Sequence, residues 1–213
     1  MTAFVRPLAG ALAALGSLSL AAPAFAHHAM GGVTPSNAFE GFVSGLAHPV
    51  IGIDHLAFVV SVGVAAAFMA RRLLSPLAFV GATLVGCMIS VVGASLPLAE
   101  LVITLSVVLV GGIVLSGRGV SAGLLTAIFA AAGVFHGAAY GEAIVGAETG
   151  PLLAYLLGFG AIQYGIAVAA GFVAATLAKG EGRKAVEPRL AGAMAAGVGF
   201  AFFVENVEGM MFA

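Results

Sequence analysis

The chain has 213 residues, 62% hydrophobic and 8% charged, with 8 Lys and Arg against 9 Asp and Glu and a formal net charge of −1 at pH 7. A mean hydropathy of +1.16 lies far outside the range of soluble domains and points to an integral membrane protein. The near-neutral balance excludes nucleic acid as a partner, and no fingerprint such as GxxxxGK[ST] marks a nucleotide-driven pump within this chain.

In chain order, residues 1–26 carry Arg6, an apolar run from Leu8 to Leu20 and a small-x-small end at Ala24-Phe25-Ala26, the pattern of a cleaved secretory signal. Cleavage after Ala26 starts the mature chain at His27-His28, outside the cytoplasm. A free α-amine beside the His27 imidazole chelates transition metals, and His28 adds a second ring; the same pair equally fits a polar tail left by signal processing. Residues 27–213 form one domain. Six apolar stretches lie near 48–70, 73–95, 97–116, 120–141, 151–177 and 190–210, each long enough to cross a hydrocarbon core that takes roughly 20 helical residues. Between them stand Arg71-Arg72, Ser95-Leu96-Pro97, Gly117-Arg118-Gly119, Glu148-Thr149-Gly150-Pro151 and the polar loop KGEGRKAVEPR (179–189). Backbone amides in lipid must be bonded within their own segment, so the stretches are predicted helices. The expected fold is an all-α integral membrane protein, a six-helix transmembrane bundle after a cleaved N-terminal signal peptide. The 31 glycines predict helices packed backbone to backbone. The lone Cys87, inside an apolar run, reads as packing.

Basic residues set the orientation, because short loops rich in Lys and Arg stay cytoplasmic. Arg71, Arg72, Arg118, Lys179, Arg183, Lys184 and Arg189 all follow the first, third and fifth stretches, which puts the mature N-terminus and the C-terminus outside. Glu40, Glu100, Glu142 and Glu148 fall at the opposite surface, where carboxylates without fixed cations concentrate cations. Asp54, Glu205 and Glu208 lie within spans. Ionisable groups there cost roughly 2.5 to 3.5 kcal/mol each on insertion scales and mark a pathway or a site.

Three segments carry that chemistry: HPVIGIDH (48–55), FHGAAYGEA (135–143) and FVENVEGMM (203–211). Counting about 1.5 Å per residue from the cytoplasmic ends places Asp54, His55, His136 and Glu205 at one level, about 22 to 24 Å up, with His48, Glu142 and Glu208 nearer the outer mouth. A layer of two imidazoles and two carboxylates suits a divalent cation, and imidazole with carboxylate suits nickel, cobalt, zinc and copper. Residues seven apart return to the same helix face, so His48 and His55 are expected to face together while Asp54 looks elsewhere. Pro49 and Gly52 favour a kink or an unwound turn around His48, and broken helices at membrane depth often supply ion ligands. Gly133, Gly137 and Gly141 predict close approach of a neighbouring helix. Gln163 and Tyr164 read as interhelical hydrogen-bonding groups.

With His48, Pro49, Gly52, Asp54 and His55 in HPVIGIDH, and His136 and Glu142 in FHGAAYGE, the chain closely resembles the HupE/UreJ family of small bacterial permeases for nickel or cobalt. The resemblance takes in the leader, the six spans and their polar residues. It implies that His48, Asp54 and His55 handle the metal with His136 and Glu142 in support, in the bacterial inner membrane. It further implies that the ion supplies a nickel enzyme such as hydrogenase or urease, with a functional link to its maturation proteins. No prosthetic cofactor is expected: the metal is cargo, and the partners are the ion and the lipid bilayer. Two other classes fit parts of the pattern. An intramembrane metal-dependent hydrolase would use a metal-bound water, with Ser44 supplying a hydroxyl, but calls for a lateral substrate slot. A metal-sensing accessory subunit calls for a larger soluble loop than residues 179–189 form.

Overall fold

The computed structural model describes residues 33–212. The expected signal peptide 1–26 and the His27-His28 pair lie outside the described residues. Among the described residues seven α-helices follow one another: α1 Ala38–Ile51, α2 Ile53–Ala66, α3 Ser75–Val91, α4 Ala99–Ser116, α5 Ala122–Gly141, α6 Thr149–Leu177 and α7 Val186–Phe212, with short 3-10 turns at Glu142–Ile144 and Gly182–Lys184. No strand occurs among the described residues.

Local chemistry sets the ends. The Asn37 side chain accepts from the Glu40 amide and starts α1, and Ser121 does the same for α5 through the Leu124 amide. Gly117, at φ 63°, closes α4 in the left-handed conformation that favours glycine.

The first predicted span is corrected by the structure. In place of one helix over 48–70, α1 begins at Ala38, stops at Gly52 and resumes as α2 at an angle of 83°. Pro49 has no amide proton to donate, and Gly52 takes an extended conformation, φ −76° and ψ 106°, which ends the helical ladder. Four helices (α4, α6, α7, and α5 with the 3-10 turn that follows it) are long and apolar enough to cross a bilayer, the broken α1/α2 pair taken as one span gives a fifth, and α3 is a shorter apolar helix of 17 residues.

Glycine contacts show how the helices pair. Residues Gly86, Gly133, Gly137 and Gly141 bring α3 and α5 into backbone contact, Gly111, Gly192 and Gly199 do so for α4 and α7, and Gly41, Gly45 and Gly158 for α1 and α6. A Cβ at Gly133 would stand 2.7 Å from the Phe79 carbonyl oxygen, so the predicted stripe on α5 is a packing surface. Helix α2 is central, touching α1, α3, α4, α6 and α7.

Polarity is distributed as a membrane protein requires. Large apolar side chains such as Leu153, Leu157, Phe172, Met194 and Phe200 face outward, while His48, Asp54, His55, His136, Thr83 and Gln163 are buried. Lipid accepts the former and rejects the latter. At one end of the bundle Arg183 donates to the Phe68 carbonyl and Arg189 to the Leu115 carbonyl, so the arginines near α7's start sit over the last turns of α2 and α4. Cys87 is fully buried against Tyr140, Tyr155 and Phe159, as packing requires.

Candidate functional site

The break at Gly52 juxtaposes two helix ends. His48 lies in the last turn of α1, where carbonyls lack helical donors and the dipole is negative; Asp54 and His55 lie in the first turn of α2, where the positive dipole end favours a carboxylate. Side chains at the break divide sharply. Val50, Ile51 and Ile53 are exposed, whereas His48, Asp54 and His55 are at most 7% exposed. With the helix broken, the seven-residue repeat no longer decides which of them meet.

Tyr140 of α5 stands between the two imidazoles. Its ring centroid lies 5.0 Å from that of His48 and 4.4 Å from that of His55. Asp54 and His55 both border the space at Gly52: a Cβ built on Gly52 would be 2.7 Å from His55 Cδ2 and 3.5 Å from Asp54 Oδ1. Asp54 Oδ1 and the Tyr140 hydroxyl are both buried without a hydrogen-bond partner among the described residues. Orphaned buried polar atoms of this kind call for a ligand, an ion or water.

Two hydrogen-bond chains run outward from this point. In the first, His48 Nδ1 lies 2.8 Å from the Tyr155 hydroxyl, which donates to the Tyr140 carbonyl at 2.9 Å. In the second, His55 Nδ1 lies 2.8 Å from His136 Nδ1, and His136 Nε2 lies 2.9 Å from Ser106 Oγ, whose proton goes to the Ile103 carbonyl at 2.6 Å. Phe58 and Phe79 pack against the His136 ring with centroids at 4.3 and 5.9 Å.

Beyond these two rings lies an apolar layer. Val59, Val62, Val107, Val110 and Phe129 are fully buried. They separate the cluster from a cavity of about 220 Å³ at the arginine end, lined by Val64, Met69, Ile113, Leu125, Arg118 and Arg183.

Of the residues singled out in the sequence, the structure brings together His48, Asp54, His55 and His136. Glu142 is exposed in the 3-10 turn after α5, and Glu205 and Glu208 are exposed near the end of α7, so the shared layer of two imidazoles and two carboxylates does not form. Depth along a helix locates a residue only in height; its direction depends on which face packs, and α7 turns Gly192, Ala195 and Gly199 inward. Among the described residues no three His, Cys, Asp or Glu side chains stand close enough together to hold a metal ion. Gln163 bridges helices as expected, donating to Thr83 Oγ1 at 3.1 Å, and Tyr164 donates to the Leu73 carbonyl at 3.2 Å.

Sequence reading missed Tyr155 and Ser106. Each is a lone hydroxyl in an apolar run, and the His48 to Tyr155 bond spans 107 positions, beyond the reach of any local pattern. A polar tip within a span was the available signal.

The family described as HupE / UreJ protein matches residues 14–202. No curated protein and no solved structure matches the chain. The match covers most of the sequence, and the chain belongs to the HupE/UreJ family, multi-pass membrane proteins related to nickel and cobalt transport.

Proposed function

We propose that this HupE/UreJ member is a secondary permease that carries a divalent transition-metal ion, nickel or cobalt, from the periplasm across the bacterial inner membrane into the cytoplasm. Its cargo would feed maturation of a nickel enzyme such as hydrogenase or urease. The observation that carries the reading is the orphaned, buried Asp54 Oδ1 at a broken helix whose facing ends also bear His48 and His55. A carboxylate in this position gains when a desolvated dication arrives, and loses when it leaves. His48, Asp54 and His55 are the donors in this reading, with His136 held behind His55 and Glu142 at the outer end of α5.

An ion in transit must be bound strongly enough to enter and weakly enough to leave. Donors that stand apart and would close on the ion only as it passes suit that demand better than a closed tetrahedral cage, which holds structural metal. The acidic residues expected outside would gather cations, and the membrane potential supplies the drive. At about 2.3 kcal/mol per charge per 100 mV, a dication gains roughly 4.6 kcal/mol, on the order of a thousandfold accumulation.

Accumulation of radiolabelled nickel and cobalt by cells expressing the chain tests the reading. Accumulation above the empty-vector level for at least one of the two metals is expected; accumulation at that level for both, with the protein present in the membrane, overturns it.

A further inference from the structure

The two hydrogen-bond chains fix more than ring orientation. Tyr155 has one hydroxyl proton, and it goes to the Tyr140 carbonyl at 2.9 Å. Its oxygen therefore acts toward His48 Nδ1, 2.8 Å away, as acceptor, so His48 carries its proton on Nδ1. In the neutral ring, the form that binds metal, the lone pair then lies on Nε2.

The same count applies to the longer chain. Ser106 gives its one proton to the Ile103 carbonyl at 2.6 Å, so at 2.9 Å it accepts from His136 Nε2. Neutral His136 is then a donor at Nε2 and an acceptor at Nδ1. Across the 2.8 Å contact His55 must donate from its own Nδ1, which again leaves the lone pair on Nε2. Reversing the chain would require Ser106 to abandon Ile103 and donate to His136, and would put a proton on His55 Nε2, closing that nitrogen to metal.

Both chains end on backbone carbonyls, acceptors that do not titrate. They also occupy both ring nitrogens of His136, which is fully buried. Tyr155 and Ser106 come from different helices, α6 and α4, and solve the same problem for two imidazoles on either side of Tyr140.

We propose that Tyr155 and Ser106 are positioning residues that lock His48 and His55 in the Nδ1-protonated tautomer, presenting Nε2 of each to the cation, with His136 as the relay between Ser106 and His55 and not itself a ligand. This assignment rests on the proposed metal transport for its purpose, though the tautomers themselves do not. Metal-binding histidines depend on the acceptor behind the ring, whose loss lowers affinity or activity about 10- to 100-fold.

The test combines transport with spectroscopy. Tyr155→Phe removes one acceptor and keeps an aromatic ring beside Phe159; Ser106→Ala removes the other, and Ser106→Thr restores a hydroxyl. Nickel uptake in Tyr155→Phe and Ser106→Ala should show KM raised about 10- to 100-fold at normal membrane abundance, with Ser106→Thr recovering most of the loss. ¹⁵N NMR of the histidine-labelled full chain should show bare Nε2 at both His48 and His55 in the wild type, lost at His48 in Tyr155→Phe and at His55 in Ser106→Ala. A purely structural role would lower abundance without moving the tautomers. Protonated Nε2 at either ring in the wild type, or unchanged tautomers in the variants, overturns the assignment. Absence of nickel and cobalt uptake in the wild type alongside the expected tautomers would instead overturn the transport reading.

Discussion

His55 and His136 are joined ring to ring, Nδ1 to Nδ1 at 2.8 Å, across helices α2 and α5. The bond consumes one nitrogen of each imidazole and makes the two residues a single unit.

A unit of this kind is non-additive under mutation. His55→Ala and His136→Ala are each expected to abolish nickel or cobalt uptake, and the double variant to be no worse than either single one. Initial uptake rates normalised to membrane abundance check this. Independent losses that multiply in the double variant would show that the two rings act separately.

Asp54 presents the clearest conflict between stability and function. Its buried Oδ1 lacks a partner among the described residues, and an unsatisfied buried acceptor costs about 1 to 3 kcal/mol, more when charged. Asp54→Asn removes the charge at nearly constant volume. The variant should melt at the wild-type temperature or above it, while uptake falls to the vector level. Added nickel should raise the wild-type melting temperature and leave that of the variant unchanged. A destabilised variant that still transports would mark Asp54 as a structural residue.

Gly52→Ala probes the break without straining it, since φ −76° and ψ 106° are open to alanine. The new methyl would sit 2.7 Å from His55 Cδ2, tighter than real contacts permit, so the imidazole must move. Normal abundance with uptake lowered about tenfold or more is expected. Uptake equal to wild type would show that the ring has room to shift without consequence.

How much of this was legible in the sequence depends on which interactions are local. Helical segments, their close glycine packing and the kink signalled by Pro49 and Gly52 all follow from neighbours within a turn or two, and each is present. Residue types were legible for the same reason: a histidine or aspartate in an apolar run is unusual whatever surrounds it, and His48, Asp54, His55 and His136 are all buried. Direction around a helix was not legible. Counting residues along the chain puts Glu205 at the height of Asp54 and His55, yet α7 packs on α4 through glycines of another face and leaves Glu205 exposed. Partners far apart in the chain, such as Tyr155 for His48, emerge only once the helices are assembled.

Glu205→Gln consequently separates height from contact. An exposed substitution away from the site changes free energies by about 0.5 kcal/mol at most, roughly twofold in rate. Uptake within that range of wild type is expected. A severe loss would place Glu205 on the ion's path, by way of a second copy or a rearranged α7.

The last prediction concerns which way the molecule points. Arg183 and Arg189 gather over the ends of α2 and α4, and loops rich in arginine and lysine stay cytoplasmic. Helix α7 runs away from that end, which carries residue 212 to the opposite surface, the one reached by Glu142 at the close of α5. A reporter active only outside the cytoplasm should work when fused after Ala213, and one active only inside should work when inserted near Gly182. The reverse pattern would put the arginines outside; the cavity beside Arg118 and Arg183 would then be the mouth that cations meet first, and a fixed positive charge there would repel them. Inward transport through His48, Asp54 and His55 therefore requires the arginines on the cytoplasmic side.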